Sequence, residues 1–134
     1  MRIFSICYEY PPLGGSGAKV VAGLTSELNK TNHTIDLVTM WMPGLRIWEQ
    51  RENFSVIRIP CIRFSKNVCR AWEMPLYLVF AFPVLCYLCL RHRYALNHTH
   101  FIFPDGALAS IINKIFRWPY IITAHGSDVP GYDE

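Results

Sequence analysis

Two short glycine-bearing turns hold the chemistry open to this chain. Tyr10-Pro11-Pro12-Leu13-Gly14-Gly15-Ser16-Gly17 follows the apolar run Arg2 to Cys7 and opens a helical pattern reaching about Lys30. A glycine turn between a strand and a helix lets a bound group approach the backbone. It also leaves N–H groups pointing outward, where the helix dipole favours negative charge. Near the other end, Thr123-Ala124-His125-Gly126-Ser127-Asp128 follows a second apolar run. Two polar turns at the ends of two strands imply one shared site, suited to a phosphate or another polar, electron-rich ligand.

The elements that must position these turns alternate in type. Arg2–Cys7 is a buried first strand, and Ser16 can cap the helix that follows. Val20, Val21, Leu24 and Leu28 form the expected apolar face of that helix, with Ala18 and Ala22 close by. His33–Met40 is a second strand, so the opening unit is a right-handed parallel crossover. Trp41 to Asn53 is irregular, Ser55–Ile59 is a short strand, and Cys61 to Trp72 is a loop carrying Arg63, Lys66 and Arg70. Leu96–Phe103 is a strand closed by Pro104-Asp105-Gly106, Ala107–Phe116 a helix, and Tyr120–Ala124 the last strand. The class is α/β with a parallel sheet. In a 3-2-1-4-5 sheet the first and fourth strands flank the switch point where ligands bind. The glycine, Pro-Asp-Gly and His125 turns then converge on one crevice.

Met74 to Leu90 is the most apolar run, ended by Arg91-His92-Arg93 and interrupted by Pro83, which would kink a helix. The first reading is a buried crossover helix. The second is a helix with one face dipping into a bilayer surface, its Arg-rich end meeting anionic headgroups. The third is a full span.

The chain has 134 residues, 51% apolar and 17% charged, which makes it one globular domain. A net charge of +3 without a dense basic block gives no argument for nucleic acid. Five irregularly spaced cysteines argue against a disulfide framework and for a reducing, cytoplasmic setting. Cys86 and Cys89 form a C-x-x-C inside an apolar helix pattern, which favours a core role. The short run Ile3 to Cys7, followed by Glu9 and two prolines, does not make a signal peptide.

Familiar nucleotide fingerprints fail. The third glycine of a dinucleotide motif would fall at Val20, Thr39 and Met40 stand where its acid is expected, and no Gly-Lys-Ser/Thr triplet exists. The whole set of segments resembles something else. Tyr10-Pro11-Pro12 with Gly14-Gly15-Ser16-Gly17, then Thr34–Thr39, His98-Thr99-His100-Phe101, Pro104-Asp105-Gly106 and Thr123-Ala124-His125-Gly126-Ser127-Asp128 resemble the N-terminal domain of a family 4 retaining glycosyltransferase. That family has the GT-B fold, in which two Rossmann-like domains, each a parallel sheet with helices on both faces, meet across a cleft.

The resemblance implies a nucleotide-diphosphate sugar as donor and no separate cofactor. It places Gly14 and Gly15, with Ser16 and Gly17 behind them, near the donor diphosphate. It points His125 at the transferred sugar as the catalytic candidate, with Gly126 and Asp128 completing the turn. Groups that fix the sugar and cradle the leaving diphosphate can lower the barrier without a covalent step. The acceptor is expected to be a glycan or lipid-linked precursor, with peripheral contact at the inner membrane surface. Ala95 stands where the family often carries Asp, and residues 1–134 hold no second, donor-binding domain. The expectation is therefore a half that is inactive alone: a fragment, a split or decayed gene product, or one half of a two-chain enzyme whose C-terminal domain is on a separate chain. The alternatives are a non-catalytic interaction module or subunit of a split enzyme, and a small membrane-anchored protein.

Blander roles compete at each position. His125 could cap a strand end. Asp105 is first a turn residue and Asp128 a helix cap. His98 and His100 share one side of a strand with metal-like spacing, but no partner is spaced to complete a ligand set, so no metal is expected. Trp41, Trp48 and Trp72 are expected to pack or to line an acceptor groove.

Overall fold

A computed structural model describes residues 1–51, 53–61, 63, 70 and 72–125. Among these residues nine elements follow one another: β1 (Arg2–Ile6), α1 (Ser16–Asn29), β2 (Thr34–Met40), β3 (Trp48–Arg51), β4 (Phe54–Ile59), α2 (Glu73–Arg91), β5 (Leu96–His100), α3 (Asp105–Phe116) and β6 (Tyr120–Thr123). They build a six-stranded sheet in the order β3-β4-β2-β1-β5-β6, parallel except for β3. Without the β3 edge, the parallel strands run 3-2-1-4-5, as the sequence pattern implied. The switch point therefore lies between β1 and β5, where Ile6 pairs with Thr99.

β1, β2 and β4 form the centre because their side chains can be buried on both faces. Phe4, Ile6, Leu37, Val38, Met40 and Ile59 are all essentially inaccessible. α2 and α3 touch each other and cover one face, and α1 packs on β2. Right-handed crossovers put α1 on the opposite face. α2 packs through Tyr77, Ala81, Leu85 and Leu88, spaced at about one turn, and runs unbroken through Pro83. It is the expected crossover helix, yet buried along one side alone: Val79 is 67% and Leu90 79% exposed.

Three sequence expectations are corrected. The buried face of α1 is Ala18, Val21 and Thr25, with Leu28 partly covered, whereas Val20 is 57% exposed and Leu24 lies at the surface. The Thr25 hydroxyl sits there because it donates to the Val21 carbonyl at 2.7 Å, which satisfies it within the helix. Trp41 to Asn53 contains β3, an antiparallel edge whose Trp48-Glu49-Gln50-Arg51 sequence carries no apolar alternation. β3 is fastened by the buried Arg58, which bonds the Glu49 carboxylate at 3.0 Å and the Arg46 carbonyl at 2.9 Å. β5 stops at His100 instead of Phe103 because Phe101 takes a left-handed φ of 73°.

At the N-terminal ends of the strands, Arg2 and Tyr94 converge on one oxygen of Asp36, at 2.9 and 2.6 Å. Asp36 therefore clamps the edge of the sheet opposite the glycine turn. Cys7, Cys61, Cys86 and Cys89 are free thiols, and burial pushes Cys89 up to about 12.

The one-sided burial of α2 makes a direct prediction. Leu85→Ala costs about 2–5 kcal/mol of stability through the cavity it leaves. Leu90→Ala, on the exposed stripe, changes it by less than about 0.5 kcal/mol. Urea unfolding of both variants checks this, and equal costs would contradict the packing of α2 on the sheet.

Candidate functional site

The glycine turn and the His125 turn meet. A side chain at Gly17 would place its Cβ 2.8 Å from the Phe101 ring and 3.6 Å from Cγ of His125. Only hydrogen at this position lets the first turn of α1 lie against both rings. Phe101 is wedged there, its ring centroid 4.5 Å from His125 and 4.9 Å from Tyr8. The left-handed backbone that aims the ring inward costs on the order of 1–3 kcal/mol, a strain of the kind that gathers at functional sites.

Each glycine of the turn has its own constraint. Gly14 has a φ of 86°, and an added Cβ would fall 2.7 Å from Glu9. Among the described residues no atom lies within 4 Å of a Cβ added at Gly15, so no packing contact there demands a glycine. Gly15 is also the N-cap of α1, a place the sequence suggested for Ser16, which instead begins the helix. Among the described residues no side chain caps α1, and no acid stands in its first turn. The N–H groups of that turn and the positive end of the helix are thus not cancelled by the helix itself.

Buried polar groups hold the turn from below. Glu9, under Gly14, pairs with Arg63 at 3.3 Å, and both side chains are nearly excluded from solvent. This pairing offsets a carboxylate that would otherwise repel an anion at the turn. Asp105 is fully buried and accepts the backbone N–H of Tyr8 at 2.8 Å, tying the start of α3 to the start of the glycine turn. Tyr77 of α2 lies in the same interior, its phenol pushed far up by burial and by the Asp105 carboxylate. Sequence reasoning missed Glu9 and the role of Arg63, and it saw Asp105 first as a turn former. The available signal was Asp105 at the first position of a helix behind an apolar strand, where a carboxylate meets free N–H groups.

Three histidines form a row at the carboxyl edge of β5 and β6. His98 and His100 lie on one side of β5 with ring centroids 4.3 Å apart, and His100 is 5.5 Å from His125. Nε2 of His98 lies 2.8 Å from the Thr123 hydroxyl, and Nε2 of His125 lies 3.4 Å from Nδ1 of His100. His100 is buried, and burial, reinforced by His98 and His125, lowers it to about 3; burial also lowers His98. Both are neutral at physiological pH, so His100 can orient His125 by hydrogen bonding, and His98 can hold Thr123 of β6, without adding charge. Among the described residues no group of His, Cys, Asp and Glu is arranged to hold a metal ion.

The sequence-derived site residues therefore divide. Gly14, Gly15, Gly17 and His125 stand at the carboxyl edge of the sheet, and Ser16 lies between them in the chain. Gly126 and Asp128 lie outside the described residues. Trp48 lines a pocket with Arg2 and Asp36 at the opposite ends of the strands, and Trp72 is exposed at the start of α2. Trp41 is half-buried and donates its indole N–H to the Leu45 carbonyl at 2.7 Å.

The histidine row predicts a pH dependence. The folded-state values of His100 and His98 lie below the ordinary value of about 6.5, so the unfolded chain binds protons that the folded chain refuses. Stability is full above about pH 6.5 and falls as pH drops from there toward 3, by up to ~1.4 kcal/mol per unit for His100. Urea unfolding at several pH values tests this. His100→Gln should flatten the profile, and an unchanged slope in that variant would contradict the assignment.

No family model matches the chain. Over 37 residues it is 43% identical to TuaC of Bacillus subtilis strain 168, whose name assigns it, provisionally, to teichuronic acid biosynthesis as a glycosyltransferase. That stretch is 28% of this chain and 10% of TuaC. Among solved structures, sucrose-phosphate synthase from Thermosynechococcus elongatus superimposes with a TM-score of 0.73 at 15% identity, over 96% of this chain and 65% of that one. Another structure of the same enzyme gives 0.71 at 17% identity, over 93% and 33%. A UGT transferase from Siraitia grosvenorii, solved with UDP, gives 0.60 at 9% identity, over 92% and 23%. The chain thus spans less than two thirds of each of these proteins. Its fold is the mostly parallel, Rossmann-like α/β fold of GT-B glycosyltransferases.

Proposed function

We propose that this chain is the acceptor-side half of a retaining, family 4-like glycosyltransferase that moves a sugar from a nucleotide-diphosphate donor to a glycan or lipid-linked acceptor. The observation that carries this proposal is the meeting of Gly17 with His125 across the switch point of the sheet. An uncapped helix start and a histidine, both at the carboxyl edge, are what a reaction that separates a sugar cation from a diphosphate needs. Backbone N–H groups at Gly15 to Gly17 steady the developing phosphate charge, and His125 binds a sugar hydroxyl and fixes the ring relative to the acceptor. His100 holds the His125 ring in place and stays neutral. The open space above Gly15 is where the donor approaches the backbone.

Most of the donor nucleotide is held, in this proposal, by a second Rossmann-like domain, on the same polypeptide or on a separate chain. The reaction is therefore expected only when both halves are present. A polypeptide carrying both halves should transfer sugar from a nucleotide sugar, while residues 1–134 alone should not. In the complete enzyme, His125→Ala should lower kcat by roughly 100–1,000-fold, the size of the loss when one transition-state contact is removed.

Gly15→Ala separates ligand approach from folding. With no described atom near the added methyl, its cost should be confined to the loss of a favoured N-cap residue, about 1 kcal/mol of stability, and yet it should weaken donor binding. A Gly15→Ala enzyme with unchanged donor KM, or robust turnover by residues 1–134 alone, would overturn the proposal.

A further inference from the structure

The surface built by α2 and α3 is one-sided in charge. From Met74 to His125 the sequence contains a single acid, Asp105, and its side chain is fully buried. The same stretch carries Arg91, Arg93, Lys114 and Arg117, all exposed, and no salt bridge joins any of them to an acid among the described residues. They gather where the two helices end: Arg91 closes α2, Lys114 lies in the last turn of α3, and Arg117 follows it.

Beside this cationic end, the outer side of α2 is apolar along its length. Val79, Phe80, Tyr87 and Leu90 are 67%, 48%, 61% and 79% exposed. On α3, Ile111 and Ile115 are exposed as well. The two helices share an open groove of about 420 Å³ lined solely by apolar side chains, Val79 and Phe82 facing Ala107 and Ile111. On the other flank of α2, Trp48 and Tyr87 stand beside Arg2 and Arg91 around a pocket of about 340 Å³. Monomeric proteins seldom leave this much contiguous apolar surface without a partner.

We infer that the α2–α3 face rests on an anionic lipid bilayer, its apolar stripe in the acyl–headgroup boundary and its four cations among the phosphates. The charge pattern favours lipid over a protein partner. An extended apolar face with cations and no exposed acid matches a negatively charged surface everywhere at once, and indole and phenol rings beside guanidinium groups are the usual order of side chains at a membrane interface. A crossing of the bilayer by α2 does not fit, because Tyr77, Ala81 and Leu85 would leave the sheet bare. The inference stands whether or not the chain transfers sugar.

Flotation with phosphatidylcholine vesicles, with and without phosphatidylglycerol, tests it. The protein should float only with the anionic lipid and should release as salt rises. Arg91→Gln and Arg93→Gln should each weaken binding roughly fivefold. Leu90→Glu and Val79→Glu sit on exposed positions, so both should keep the wild-type unfolding midpoint while abolishing flotation. Equal binding to neutral vesicles, no binding, or binding indifferent to Leu90→Glu would each overturn the inference. So would a concentration-dependent dimer that Leu90→Glu dissolves while vesicles are ignored, which would assign the face to a second copy.

Discussion

The site depends on a side chain that is missing. Because Gly17 has no Cβ, the start of α1 can lie against Phe101 and His125, and the first and last parallel strands of the switch region present their turns to each other. A methyl group there would meet the Phe101 ring at 2.8 Å. The ring has little room to yield, since Tyr8 and His125 flank it and its own backbone is in the left-handed region. Gly→Ala inside a helix gains up to ~1 kcal/mol from propensity, but overpacking of a wedged ring typically costs 1–3 kcal/mol. Sterics therefore outweigh propensity, and the glycine belongs to the packing of the site as well as to its chemistry.

Around this contact, buried charge is used to fix position. Asp105 reaches across 97 residues of sequence to hold the Tyr8 N–H, and Arg63 holds Glu9 beneath Gly14. Buried pairs of this kind add little net stability, but removing one partner costs several kcal/mol because a charge is left without compensation. Their effect is to leave the glycine turn a single place to sit. At the other edge of the sheet the Arg2–Asp36–Tyr94 cluster does the same for the strand starts. The two polar edges bracket an apolar middle, and the candidate chemistry belongs to the carboxyl one.

Much of this was legible in the sequence. The central strands are short apolar runs bounded by turn residues, so their order and parallel sense follow from the crossover rule. The meeting of the Gly14–Gly17 turn with His125 follows from where the order switches. The rest was hidden for definite reasons. β3 has no apolar alternation because it is an edge with Trp48 at the surface. The face of α1 was misjudged because Thr25 satisfies its hydroxyl on its own helix, freeing Val20 and Leu24 for solvent. The end of β5 was overrun because Ile102 and Phe103 look like strand residues, and no composition rule announces the left-handed turn at Phe101. Glu9 and Arg63 carry no motif; only their burial together reveals them.

The central claim is that one ligand touches both turns. Its most direct test is a titration of an isotope-labelled polypeptide carrying both halves with a nucleoside-diphosphate sugar, following the backbone amides of Gly14, Gly15 and Gly17 and the ring of His125 by NMR. The account predicts that these signals move together along one binding curve while those of Arg2 and Arg91, at the opposite end of the strands, stay still. Signals that move at Arg2 and Arg91 alone, or at one turn without the other, would contradict it.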